Sequence, residues 1–159
     1  MKATFGMGCF WCSEDVFGRV KGVKSTTVGY MGGKIEHPTY EQVCTDRTGH
    51  AEVVQIEYDP AQVSYEEILS VFWANHDPTI PNRQGWDVGT QYRSAVFYHS
   101  PEQKAAAEAI KQKLQDSGAF KRKIVTEVSP ASAFWKAEEY HQKYYQKCGL
   151  KMHGYGTFW

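Results

Sequence analysis

Strand-like and helix-like segments alternate along most of this chain in an order that few folds accept. Residues 3–7 read as a strand, and residues 10–20 as a helix with Val16, Phe17 and Val20 on one side. Residues 24–30 are rich in β-branched side chains and end at Met31-Gly32-Gly33, a turn signal. Residues 52–58 alternate, with Val53, Gln55 and Glu57 set against Val54, Ile56 and Tyr58, until Asp59-Pro60 breaks the run. Ser64 and Glu67 form a capping box for a helix carrying Ile68, Leu69, Phe72 and Trp73. Residues 92–99 give the next strand. The resulting β-α-β-β-α-β order predicts an α+β fold, a two-layer sandwich with a ferredoxin-like core and a mixed sheet. A helix follows from Ser100-Pro101 to about residue 117, with proline at the favoured first position. A last strand over 123–128, a polar aromatic helix over 133–147 and an irregular tail over 149–159 complete the prediction.

At 159 residues the chain has the length of a single domain with a proper hydrophobic core. Lysine plus arginine equals aspartate plus glutamate at 18 each, so neither nucleic acid nor an acidic membrane surface is an expected partner. The apolar runs are too short to span a bilayer. Strand-like sequence begins within three residues of Met1, which leaves no room for a secretory signal. Four cysteines in that context point to a reducing compartment, the cytoplasm, and to catalytic or metal-binding thiols rather than structural disulfides. Aromatic residues make up 14 % of the chain, which fits either a ring-rich core or a substrate surface.

Gly8-Cys9-Phe10-Trp11-Cys12 lies where the first strand gives way to the first helix. A cysteine in a helix's first turn faces unpaired backbone N–H groups and the positive end of the dipole, both of which favour a thiolate. Cys9 and Cys12 are neighbours on a helix surface, close enough for a disulfide after modest local adjustment. Phe10 and Trp11 beside the nucleophile suggest a pocket for a small apolar group. Together these features point to thiol chemistry on a sulfur-bearing or methyl-bearing substrate.

Two long loops hold the remaining polar candidates, and loops of this length in a compact domain are more often functional than idle. The first runs from Gly32 through a short possible helix over 39–44 to Thr48-Gly49-His50-Ala51-Glu52. The second contains Asp77-Pro78-Thr79 and Asp87-Val88-Gly89-Thr90-Gln91-Tyr92-Arg93-Ser94. With the Cys9 segment, these motifs in this order resemble the A-type peptide methionine sulfoxide reductases, over roughly residues 5–145. The resemblance implies a single methionine sulfoxide reductase catalytic domain over 1–159, with a C-terminal tail from about residue 148. It also implies reduction of the S-epimer of methionine sulfoxide, in oxidised proteins and as the free amino acid. Thioredoxin would supply the electrons (dithiothreitol can replace it in vitro), with no metal or organic cofactor.

Carried over by motif position, Cys9 is the nucleophile, and Phe10 and Trp11 form the wall for the substrate's methyl group. Glu52 is the acid that protonates the sulfoxide oxygen, Tyr40 and Tyr92 hydrogen-bond that oxygen, and Asp87 binds the substrate's polar part. The chemistry supports these roles: a sulfoxide oxygen leaves only once protonated, and a carboxyl serves as acid near neutrality only with a raised pKa. Attack leaves a sulfenic acid on Cys9 for a second thiol to resolve. Many family members have glycine where this chain has Cys12, and place resolving cysteines in a glycine-rich tail. Here both Cys12 and Cys148 are candidate resolvers. The reading favours Cys148 first, with Cys12 as relay, because a disulfide within the first helical turn would distort it. Cys44 is expected to be simply buried, and His50 to order the loop beside Glu52. Two other classes compete: a thioredoxin-type dithiol oxidoreductase, disfavoured by the bulky Phe-Trp between the cysteines, and a zinc module on Cys9, Cys12 and Cys148 with His141 or His153, which lacks a second paired half-site. A monomer is the default expectation.

Overall fold

A computed structural model describes residues 1–148 of the chain. In chain order the elements are β1 (Lys2–Met7), α1 (Phe10–Gly18), β2 (Val23–Met31), α2 (Tyr40–Cys44), β3 (Ala51–Tyr58) and α3 (Tyr65–Ala74). A short hairpin of β4 (Arg83–Gln84) and β5 (Asp87–Val88) follows, then a 3-10 turn at Thr90–Tyr92, β6 (Ser94–Tyr98) and α4 (Pro101–Asp116). The described chain closes with β7 (Glu127–Pro130), β8 (Trp135–Lys136), a 3-10 turn at Glu139–His141 and α5 (Tyr144–Lys147).

The main sheet has the order β7-β6-β1-β3-β2-β8. Its inner strands β6-β1-β3-β2 are antiparallel and follow the ferredoxin-like order, while β7 runs parallel to β6 and makes the sheet mixed. Phe5 on β1 stacks on Phe17 of α1 at 5.2 Å and on Phe72 of α3 at 5.0 Å, so both helices cover the same face. Val54, Ile56 and Tyr58 join that core from β3. Each fully buried aromatic there contributes about 2–3 kcal/mol of transfer free energy. The opposite face buries Met31, Ala51, Val53, Ala95 and Phe97 under Ala131 and Phe134. The strand period of two places Glu52 on the helix-covered face, one step beyond Val54.

The C-terminal third departs from the sequence reading. Residues 123–126 are not part of a strand: Ile124 N–H bonds to Gln115 at 2.7 Å and Val125 N–H to the Pro78 carbonyl at 2.8 Å. Pairing begins only at Glu127, opposite Ala95. The long helix over 133–147 is absent too, and a strand, a 3-10 turn and one turn of helix replace it. Tertiary pairing overrides helix propensity there. Trp135 and Lys136 pair with Tyr30 and Gly29, and a Cβ on Gly29 would stand 2.4 Å from the Trp135 carbonyl oxygen. Farther on, the Gln142 side chain takes the place of a strand neighbour: it accepts from Val28 N–H at 2.9 Å and donates to the carbonyls of Val28 and Ala137 at 2.9 and 3.0 Å. The tail over 149–159 lies outside the described residues. Among those residues no helix is long and apolar enough to cross a membrane.

Gln142 therefore fastens the C-terminal segment to β2. Gln142→Ala is expected to cost about 1–3 kcal/mol in guanidinium unfolding, because a buried backbone N–H is left unpaired. A loss below about 0.5 kcal/mol would show that the segment is held by its other contacts.

Candidate active site

Gly8, with φ of +100°, turns the chain from β1 into α1, a conformation that costs a residue without Cβ little. Cys9 then takes the N-cap position of α1, and its carbonyl accepts from Cys12 N–H at 3.1 Å and Ser13 N–H at 3.2 Å. The Cys9 and Cys12 thiols act as a pair, each shifting the other's titration. Cys12 also lies 3.2 Å from the Tyr145 hydroxyl. In such a pair the first thiolate formed is stabilised by the neighbour's S–H, and the second proton is held more tightly. Hydrogen bonding from Cys9 and Tyr145 lowers Cys12, whereas the Cys12 bond, burial and the Glu52 charge raise Cys9 against the pull of the Trp11 N–H.

Glu52, at the start of β3, is 2 % exposed. Its Oε1 accepts from the Phe10 N–H in the first turn of α1 at 3.3 Å, and its Oε2 is buried without a partner. Burial pushes its pKa up to about 8, against the Phe10 bond and with the charges of Asp87 and Cys12 adding to the rise. The carboxyl is therefore neutral at pH 7 and carries a proton to give. A neutral Glu52 removes its own charge penalty on the Cys9 thiolate; the remaining rise leaves the pair's first charge on Cys12, and Cys9 becomes the nucleophile when its proton passes to the Cys12 thiolate.

Rings close the space around these groups. Phe10, 1 % exposed, has Tyr30, Tyr40 and His141 at centroid distances of 5.8, 6.3 and 5.1 Å. Trp11 is half-buried, stacks on Tyr144 at 3.8 Å and donates from Nε1 to His141 Nδ1 at 2.9 Å. That bond requires an unprotonated Nδ1, and burial lowers the His141 pKa, so the imidazole is neutral and carries its proton on Nε2. Tyr40 and Tyr92 are half-buried, and burial followed by neighbouring groups including Glu52 holds both phenols protonated. Asp87, half-buried on β5, raises Glu52, Cys12 and Tyr92 through its charge. Glu138 accepts from the Tyr30 hydroxyl and the Tyr40 N–H, each at 2.9 Å, bracing the floor and one wall.

The structure thus brings together Cys9, Cys12, Glu52, Phe10, Trp11, Tyr40, Tyr92 and Asp87. Cys148 stands apart from this core, exposed at the C-cap of α5. Cys44 is exposed rather than buried, because α2 turns that face outward and seats Val43 instead. His50 holds the loop as expected, with Nδ1 accepting from Gly33 N–H at 3.0 Å and Nε2 bonding the Ile35 carbonyl at 2.7 Å. Glu138, His141, Tyr144 and Tyr145 carry more of the site than their sequence suggested; their spacing of three, six and seven residues, which would set all four on one face of a helix, is the signal that could have grouped them. Among the described residues no group of three or more His, Cys, Asp and Glu side chains is placed to hold a metal ion; His153 lies outside them.

A paired thiol and a neutral buried carboxyl inside an aromatic cup define a thiol-based redox site. The comparisons give the family. The model of the peptide methionine sulfoxide reductases matches residues 1–156, and the chain belongs to that family. It is 61 % identical over 148 residues to the peptide methionine sulfoxide reductase MsrA of Methanoculleus marisnigri, covering 93 % of this chain and 90 % of that one. Among solved structures, reduced Mxr1 from Saccharomyces cerevisiae superposes with a TM-score of 0.91 at 33 % identity, covering 99 % of this chain and 92 % of that one. Mxr1 in complex with Trx2 superposes with a TM-score of 0.65 at 27 % identity, covering 91 % and 84 %.

Glu52 binds its proton more tightly folded, at about 8, than unfolded, near 4.5. Stability conferred by that proton is complete below about 4.5 and is lost as pH rises to about 8. Glu52→Gln carries no such loss. Relative to wild type, the variant is expected to gain on the order of 5 kcal/mol across that window in denaturant titrations. A gap between the two proteins that does not change with pH would contradict the raised pKa.

Proposed function

We propose that this chain reduces methionine S-sulfoxide to methionine, in oxidised proteins and as the free amino acid, through Cys9. The observation that carries the reading is the neutral carboxyl of Glu52 beside the Cys9–Cys12 pair, within an aromatic cup. The Cys9 thiolate attacks the sulfoxide sulfur while Glu52 gives its proton to the oxygen, with the Tyr40 and Tyr92 hydroxyls sharing the developing charge. The methyl group rests against Trp11 and the Phe10 ring, and Asp87 receives the substrate's polar atoms. The hydroxyl then passes from the substrate sulfur to Cys9 Sγ as the sulfur–sulfur bond breaks, so the substrate sulfur gains two electrons and leaves as methionine while Cys9 is oxidised to a sulfenic acid.

A second thiolate then displaces hydroxide, which leaves as water, and a disulfide forms. The sequence favoured Cys148 for this step. The coupling of the Cys9 and Cys12 thiols, and the lowered pKa of Cys12, favour Cys12 for the first disulfide and leave exposed Cys148 for the exchange that follows. A thioredoxin dithiol closes the cycle, and the complex of Mxr1 with Trx2 supports that choice of reductant. The chemistry asks for no metal or organic cofactor. We take the chain as one catalytic domain over 1–159, working as a monomer in the cytoplasm, where four free thiols stay reduced.

The test is thioredoxin-coupled reduction of the separate S and R epimers of a blocked methionine sulfoxide. Turnover of S alone, abolished in Cys9→Ser, is the expected outcome, and turnover of neither epimer even with dithiothreitol would contradict the reading. For the second step, one equivalent of substrate should leave a Cys9–Cys12 disulfide in Cys148→Ser and a trappable sulfenic acid in Cys12→Ser. A sulfenic acid persisting in Cys148→Ser instead would assign the first resolution to Cys148.

A further inference from the structure

Trp86 sits at the tip of the β4–β5 hairpin and is 95 % exposed, the most open large apolar side chain among the described residues, with Val88 beside it at 66 %. Burial of neither ring nor isopropyl group stabilises the fold there, and exposed apolar surface of this kind commonly marks a contact site. The hairpin that presents them is firmly held. Gln84, fully buried, accepts from Asp77 N–H at 2.9 Å and donates to the Asp77 carbonyl at 2.6 Å. Arg83 Nε donates to the Gly85 carbonyl at 2.9 Å, and Gly89 N–H to the Asn82 carbonyl at 2.9 Å. Arg83 pairs with Val88 and Gln84 with Asp87 across the two strands.

The next residue after Trp86 is Asp87, whose charge reaches Glu52, Cys12 and Tyr92. The hairpin's outgoing end is tied beside the cup, where Thr90 N–H donates to Asp46 Oδ1 at 2.8 Å just past α2, whose Tyr40 packs on Phe10, so the tip stands at the rim of the aromatic cup. A second exposed ring borders the same cup: Tyr140, 59 % exposed, lies 4.1 Å from the His141 ring, which packs on Phe10 at 5.1 Å.

We propose that Trp86, with Tyr140, forms a docking surface for the residues flanking methionine sulfoxide in an extended, unfolded polypeptide. The inference rests on the reductase reading of the cup. A free amino acid fills the cup and stops there, whereas a polypeptide has to continue across the rim in both directions. An indole on a rigid hairpin offers such a chain a large apolar face at little cost in side-chain entropy. The occupant is an unfolded segment because a single protruding ring can reach flanking side chains only where the substrate chain is open.

The test compares Trp86→Ala with wild type on two substrates, both driven by dithiothreitol: a blocked single methionine S-sulfoxide, and an unstructured peptide with that residue at its centre and apolar residues on either side. The expected result is a fall of about fivefold or more in kcat/KM for the peptide, carried by KM, with the single residue unchanged within about twofold. Trp86→Phe should recover most of the loss. An equal fall for both substrates, or no fall for the peptide, overturns the proposal. So does a variant whose only defect, in a parallel thioredoxin-driven assay of the same substrates, is a raised KM for thioredoxin, which would assign the tip to the reductant. Failure of wild type to reduce the single residue would instead strike the reductase reading itself.

Discussion

A carboxyl group buried with one hydrogen bond sets the terms for everything around it. Glu52 is held against the first turn of α1 through the Phe10 N–H, so the end of β3 and the start of α1 have to meet at that point. The chain accomplishes this with a short path: β1 lies next to β3 in the sheet, Gly8 turns it out of the plane, and Cys9 caps the helix above the carboxyl. Burying an ionised carboxylate there would be expensive, and the group takes a proton instead. The same surroundings that raise its pKa, the rings of Phe10, Tyr40 and Tyr92, are those that suit a methyl group and a sulfoxide oxygen. Stability is given up at this position, and a proton donor is gained.

The thiol pair depends on the other end of the chain. Glu14, on the buried side of α1, accepts from the Thr26 hydroxyl at 2.8 Å and from the Lys143 N–H, and Lys143 adds its charge at 3.8 Å. Together with Gln142 on β2, these bonds fix the segment that brings Tyr144 onto Trp11 and Tyr145 onto Cys12. Polar side chains therefore do at the sheet edge what a strand would otherwise do, while leaving the backbone of 139–147 free to place four aromatic or imidazole rings against the site. The cost is a segment with little regular structure and much specific bonding.

The inner fold was legible because its signals are local. Alternation over 52–58, the capping box at Ser64, and proline at the start of α4 each fix one element without reference to the others. The burial of Glu52 was also within reach, since the two-residue period that seats Val54 and Ile56 inward carries Glu52 with them. The C-terminal third was not legible in this way. Its helix-favouring composition is overridden by pairing with Gly29 and Tyr30 and by the Gln142 side chain, neither of which has a local signature. The hairpin carrying Asp87 and Trp86 hid for a similar reason: its strands are two residues each, and a buried glutamine from the same loop holds them in place.

Difference infrared spectroscopy of wild type against Glu52→Gln, followed across pH, addresses the neutral carboxyl most directly. The account predicts a protonated carboxyl C=O band in wild type at neutral pH, missing from the variant and titrating away near 8. A Glu52 band that is already gone at neutral pH, having titrated near the ordinary carboxylate value of 4.5, would contradict it.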